Sequence, residues 1–428
     1  MRAAIALVLA ACGTSSRPPT HERARVAPSD CQAVVPGSAL RDLARVPGAR
    51  VCLAPGRYQG PVVLAADALL WGPSSAVIDR VEGGTVVELG TRATLIGATI
   101  DGRGGVFDRE DAAVRIVGDG ARVEGVTITN AVFGVLAERV AHVTIRDNHV
   151  QADRIGPMGI RGDTIRLWET QDSVVAGNVV EGGRDVVVWY SSGNVVEDNR
   201  VSDARYGTHF MYSHHNHAAR NHYLRDVVGV FVMYSHDVTL VDNIVRAAGG
   251  ASGMAIGLKD SGNVTITGNV LVEDRDGIYV DDTPLQQDHT LTVSGNLFGR
   301  CDAAIVIHGR GERSRFEGND FIENRVPVSV EGGADTDTAG IAWERNYWSD
   351  YTGYDLDGDD TGDIRYEVRS LEGDLVDRTP ALAFFRGTPA LAAAGIVTRL
   401  VPMYTPRALL VDPSPRMRPH SWEGLHAD

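Results

Sequence analysis

Between residues 140 and 350 short alternating apolar stretches such as VVVWYS, GVFVMYS and VTITG recur along the chain. Asparagines, each with an apolar or polar residue after it and most often Gly or a charged residue before it, punctuate them. They are Asn148 in RDNHV, Asn178 in AGNVV, Asn199 in EDNRV, Asn221 in ARNHY, Asn243 in VDNIV, Asn269 in TGNVL, Asn296 in SGNLF, Asn319 in EGNDF and Asn346 in ERNYW. Successive intervals fall between 21 and 30 residues, three of them at 21 or 22, which is the signature of a solenoid with coils of about that length. The alternation predicts strands of three to five residues separated by Gly or Asn corners, and no helical period competes. Stacked coils place each strand ~4.8 Å above its equivalent and fill the interior with Val, Ile and Leu. The expected fold is therefore all-β, a right-handed parallel β-helix with coils of about 22 residues. Its asparagines are expected to turn inward at a corner and hydrogen-bond their counterparts above and below, which leaves them no catalytic role.

The pattern divides the chain. Residues 30–350 are expected to form the β-helix, with a first turn and strand in GRYQGPVVL from Gly56. Residues 1–29 read as an export signal and tether: one Arg, an apolar run, then Leu9-Ala10-Ala11-Cys12, a lipobox that would acylate Cys12. Residues 351–378 read as an acidic closing loop and 379–428 as a C-terminal docking segment, with a helical stretch over 389–400. An exported chain sits in an oxidising compartment, where Cys31 and Cys52 are close enough in sequence for a disulfide, worth ~3 kcal/mol in the loop-entropy account. Cys301 has no ligand motif around it and reads as a small buried hydrophobe.

Charge narrows the partners. With 56 acidic against 41 basic residues and a formal charge of -15, phosphate repulsion argues against nucleic acid. No apolar run approaches the roughly 20 residues of a membrane span, and no GxxxxGK[ST] phosphate loop is present, so ATP hydrolysis would belong to another chain.

Candidate chemistry concentrates in RYGTHFMYSHHNHAARNHYLRDVVGVFVMYSHD, Arg205 to Asp237. The tetrapeptide Met-Tyr-Ser-His occurs at 211–214 and again at 233–236, 22 residues on. One coil of spacing puts Met211 over Met233, with Met and Ser expected on one side of the strand and Tyr and His on the other. Methionines turned inward would merely fill the core. Thioether and imidazole together favour copper over hard ions, and His209, His214, His215, His217, His222 and His236 crowd the same stretch, although a solvated His-rich edge is the alternative. The copper candidates are Met211, Met233, His209, His214 and His236, with His215 and His217 as weaker choices. A second constellation, Asp355, Asp357, Asp359 and Asp363 in DLDGDDTGD, offers oxygens suited to calcium. It lacks the closing bidentate Glu, since Tyr366 stands there, and reads equally as a solvated acidic turn.

GIRGDTIRLWETQDSVVAGN from Gly159 to Asn178, RYGTHFMYSHHN, GVFVMYSHDV and NYWSDYTGYDLDGDDTGD together resemble the NosD family, over roughly Gly56 to Pro415. That resemblance implies a non-catalytic periplasmic component of an ABC-type system that matures the copper centres of nitrous oxide reductase. Its partners would be the ABC permease with its ATPase subunit, a lipid-anchored copper chaperone and nitrous oxide reductase, with membrane association through the lipid anchor or the permease. Copper, as Cu(I), would be its transient cargo. Another class of reading is a carbohydrate-active lyase, epimerase or hydrolase, or a carbohydrate-binding protein, since long β-helices grip extended sugars. It needs a carboxylate pair or a base beside a neutralising Arg, for which Asp276, Asp281 and Asp282, and Arg184 with Asp185, are the candidates. A surface adhesin built from the same coils would not account for the Met and His.

Overall fold

The computed structural model describes residues 27–38, 40–80, 83–331, 340–369 and 408–422, with the single positions 338, 379, 381, 382 and 388. Cys12 and the expected helical stretch over 389–400 lie outside the described residues. Coil upon coil of short parallel strands makes up nearly all the rest. One face is a twelve-stranded parallel sheet running from Val62–Leu64 to Val326–Glu331. The other faces carry the remaining array strands, from Gln32–Val34 to Tyr347–Trp348. The one α-helix among the described residues, Leu40–Ala44, lies at the start of the array. This is the parallel β-helix that the asparagine spacing predicts.

Alternation decides what lies inside. In the strands Tyr206–Met211 and Val228–Met233 the residues Phe210, Val230 and Val232 are fully buried. They belong to one continuous core that extends from Val34 to Leu410. Burial of branched side chains on that scale is the main stabilising term, at ~1.5–3 kcal/mol for each large one. Like residues then stack in outward columns. On the long face one column reads Glu138, Trp168, Trp189, Met211, Met233, Lys259, Asp281, His308 and Glu331.

All nine asparagines stand in one buried ladder. Each of the first eight donates its backbone N–H and its Nδ2 to the Oδ1 of the next, as Asn221 does to Asn243 at 3.0 and 2.9 Å. The same Nδ2 also reaches a carbonyl of the preceding coil, Val196 O at 2.9 Å for Asn221. The step between asparagines is 30 residues at the start, 21 or 22 in the middle and 23 to 27 toward the C-terminal end. Extra residues there are taken up by corners, so the ladder keeps its register.

The ladder ends on a residue distant in sequence. Ala408–Asp412 pairs antiparallel with Tyr366–Arg369, and Asp412 Oδ2 accepts the backbone N–H and Nδ2 of Asn346, both at 3.0 Å, and Trp348 Nε1 at 3.2 Å. The chain then turns back along the array. Fully buried Asp320 binds Arg416, the His420 N–H at 2.8 Å and Trp422 Nε1 at 2.5 Å, and Trp422 covers Val270, Val272 and Leu297. The composition of RMRPHSW gave no warning of this. At the opposite end Cys31 and Cys52 are joined as a disulfide with Cα atoms 5.6 Å apart, and Cys301 is free and buried.

Candidate functional site

The two Met-Tyr-Ser-His copies sit where the long sheet turns a corner, and each residue of the motif has a separate task. Ser213 and Ser235 are buried and continue a hydroxyl ladder: Ser191 N–H donates to Ser213 Oγ at 3.1 Å, Ser213 N–H to Ser235 Oγ at 2.9 Å, and Ser235 N–H to Ser261 Oγ at 3.3 Å. Tyr212 and Tyr234 take left-handed backbone, φ 49° and 50°, and their rings stack at 4.8 Å beneath Tyr190, itself 5.2 Å from Tyr212. Met211 and Met233 are direct cross-strand partners, half-buried and outside the core. Met and Ser therefore do not share a side, as strict alternation had predicted. The left-handed Tyr between them turns the chain, sending Met outward and Ser in.

Around the methionines the outer face is aromatic and soft. His209 Nε2 lies 3.3 Å from Met233 Sδ. Its ring packs edge-on to Tyr206 at 4.9 Å and beside Phe231 at 6.0 Å. Its other nitrogen, Nδ1, faces buried Asp185 at 3.8 Å. That arrangement leaves Nε2 aimed at the sulfur, the carboxylate-imidazole pattern by which proteins orient a metal-binding histidine. Burial works against the Asp185 charge, but the Arg205 guanidinium bound to it, with the His209 ring nearby, outweighs this and holds the carboxyl below the usual range. In the next coil Met254 lies on the Phe231 side of Gly257. A Cβ on Gly257 would fall 2.6 Å from Met254 Sδ and 2.8 Å from the Phe231 ring, so glycine leaves the space that the thioether occupies.

The remaining candidates lie elsewhere. His214 and His236 stack at 3.7 Å in a corner with His215 and Asp237, and their described contacts include neither methionine. His214 Nδ1 accepts the His236 backbone N–H at 3.1 Å. Burial, with His236 and His215 nearby, lowers the His214 pKa and keeps the ring neutral. His217 and His222 stand on another face, paired with Thr239 and with Ile244. The aspartates of the closing loop divide: oxygens of Asp355, Asp357 and Asp359 lie within 4.8 Å of one another. Asp363 instead accepts the Leu356 N–H at 2.7 Å. Asp355 and Asp359 cap N–H groups of their own loop, which accounts for them as a turn.

Of the carboxylates weighed for sugar chemistry, Asp281 is held by Lys259 at 2.7 Å and His308 at 2.9 Å. Asp185 is held by Arg205, and Arg184 binds Asp163 at 2.9 Å. Spacing missed Met254 and His289, and it pointed to Asp185 for sugar chemistry rather than as the neighbour of His209. The coil from Met233 to Lys259 is longer than 22 residues, a register shift follows Asp185, and His289 stands in a loop outside the period.

Residues 146–353, which contain both methionine motifs, match the family model described as periplasmic copper-binding protein (NosD). The chain is 27% identical over 385 residues, 83% of its length and 85% of the relative's, to a Pseudomonas aeruginosa protein named "Probable ABC transporter binding protein NosD". Among solved structures it is similar to the catalytic unit of a GH87 α-1,3-glucanase from Streptomyces thermodiastaticus, with TM-score 0.57 and 16% identity, covering 74% of this chain and 66% of that one. It is also similar to the A-module of the Azotobacter vinelandii mannuronan C-5 epimerase AlgE6, with TM-score 0.51 and 16% identity, covering 68% and 90%. At that identity the two structures share the fold alone.

Proposed function

We propose, from its likeness to NosD proteins, that the chain is a periplasmic copper-relay and docking component of an ABC-type system that matures the copper centres of nitrous oxide reductase. The observation that carries the proposal is His209 Nε2 at 3.3 Å from Met233 Sδ, beside Met211 on an outer face and within the residues matched by a copper-binding family. Thioether and imidazole are donors suited to copper, and an outward, half-buried position lets a cargo ion enter and leave. Such a chain needs no turnover of its own. The ATPase and permease are separate chains, a lipid-anchored chaperone supplies copper, and apo nitrous oxide reductase receives it. Membrane association comes through the permease or through an anchor at Cys12.

An anaerobic Cu(I) titration of the purified protein against a competing chelator tests this reading. The expected result is about one equivalent bound, with loss of tight binding in a Met211→Ala, Met233→Ala double variant. A wild-type protein that takes up no Cu(I) in competition, or a double variant that binds as well, overturns it. The carbohydrate-binding reading draws on one observation, the exposed stack of Tyr190 and Tyr212 continuing to Tyr234. The commitments of Asp185 and Asp281 to cations leave it without a free base at those positions.

A further inference from the structure

We propose that the corner formed by His215, His236 and Asp237 is a second metal site, for a divalent transition-metal cation of the zinc(II) or copper(II) kind, separate from the thioether face. Three ligand atoms converge there, all within 4.8 Å of one another. His215 Nδ1 is 3.5 Å from Asp237 Oδ2 and His236 Nδ1 is 2.7 Å from the same oxygen. A tetrahedral ion with bonds of ~2.0–2.1 Å sets its ligand atoms ~3.3 Å apart. The longer contact already has that spacing. The shorter one is a proton bridge, which a metal would open as it displaces the proton.

The groups behind these ligands hold them in place. Asp237 Oδ1 accepts from Asn263 Nδ2 at 3.1 Å, which fixes the plane of the carboxylate and turns Oδ2 toward the imidazoles. His214 stacks on His236 at 3.7 Å, and because its Nδ1 takes the His236 backbone N–H its own proton is on Nε2. It is a support and not a ligand. The His289 ring stands 5.6 Å from that of His236, and its buried Nδ1, without a hydrogen-bond partner, lies against Gly262. Its place is made by Gly262, the cross-strand partner of His236, where a Cβ would collide with the His289 ring.

Backbone preference explains part of this corner. His215, Asp237 and Asn263 all have left-handed backbone, φ 54°, 56° and 48°, a conformation that His, Asp and Asn tolerate better than other residues. It does not explain why His236, in a strand, turns its ring to the same Asp237 oxygen that His215 faces. The donors are nitrogen and oxygen without sulfur, a borderline set that divalent zinc and copper share and that contrasts with the methionine face one turn of chain away.

The left-handed backbone also supplies the test. His215→Asn and Asp237→Asn keep residues that accept positive φ while removing the imidazole and the charge. Zn(II) alone, added to the full chain and followed by calorimetry, is expected to bind at about one equivalent, and each variant to weaken it at least about tenfold. The Met211→Ala, Met233→Ala chain is expected to bind Zn(II) as the wild type does. Copper(II) is expected to compete Zn(II) out. In the wild type, side-chain NMR is expected to show the His215 and His236 nitrogens shifting with Zn(II) while those of His217 and His222 stay. Absence of saturable Zn(II) binding, unchanged binding in both Asn variants, or loss of Zn(II) with the methionines overturns the proposal.

Discussion

At the scale of single residues, the soft face depends on which nitrogen of His209 is free. Asp185 at 3.8 Å from Nδ1 favours the tautomer that leaves Nε2 for Met233. Asp185→Asn keeps the shape and removes the charge, so Cu(I) affinity is expected to fall about tenfold, read in the same chelator competition. The denaturant midpoint falls too, because Arg205 loses the carboxylate it pairs with. Spacing made the Met211 and Met233 register legible, since a 22-residue step in a 22-residue coil is a vertical neighbour. It could not reveal Met254, which lies against Gly257 beside the Phe231 ring, nor the pairing of Asp185 with His209, across which the strand register shifts before Val187. Nor could it separate the histidines into three groups, because sequence distance does not say which face of a corner a ring takes.

At the scale of elements, ladders do the holding. Asn221→Ala would strand the backbone N–H and Nδ2 of Asn199, which donate to Asn221 Oδ1 at 3.0 Å, and the carbonyl of Val196. At ~1–3 kcal/mol for each buried group left unpaired, a loss of at least about 3 kcal/mol is expected, measured by denaturant unfolding. The asparagine ladder was legible because nine identical residues mark it. A neighbouring ladder was not, because its residues differ: Asp226 Oδ1 accepts the Ala204 N–H at 2.7 Å, Asp274 Oδ1 that of Ala248 at 2.7 Å, and Asn324 Oδ1 that of Cys301 at 2.9 Å. Burial pushes the Asp226 and Asp274 carboxyls well above the usual range. The folded chain therefore keeps protons that the unfolded chain releases near pH ~4. Stability contributed there is complete at acid pH and declines as pH rises from the unfolded value toward the raised folded one. Asp226→Asn and Asp274→Asn, which put at these places the amide that Asn324 already uses, are expected to stabilise the protein at pH 7 by about 1 kcal/mol or more. The gain should shrink toward zero as the unfolding measurement is moved to pH 4.

At the scale of the whole molecule, a stack in which each coil touches its neighbours distributes stability along one axis. Its ends decide how much of it survives. The sequence marks 379–428 as a capping or docking segment but not its contacts, because Asp412 and Asp320 meet partners 66 and 96 to 102 residues away, with no repeat to mark them. Trp422→Ala with Arg416→Ala is expected to raise hydrogen exchange in the coils from Asn296 to Trp348 several-fold while the coils around Met211 and Met233 exchange as before. Equal acceleration throughout would mean that the array unfolds as one unit. Asp412 has a further consequence. Every side-chain amide in the asparagine ladder passes its N–H toward the C-terminal end, so the ladder is a line of aligned dipoles with a giving end and a receiving end. A carboxylate can receive but has no N–H to hand on. At Asp412 the sequence of side-chain donations stops, and a further coil laid there would find no amide donor with which to carry the ladder on.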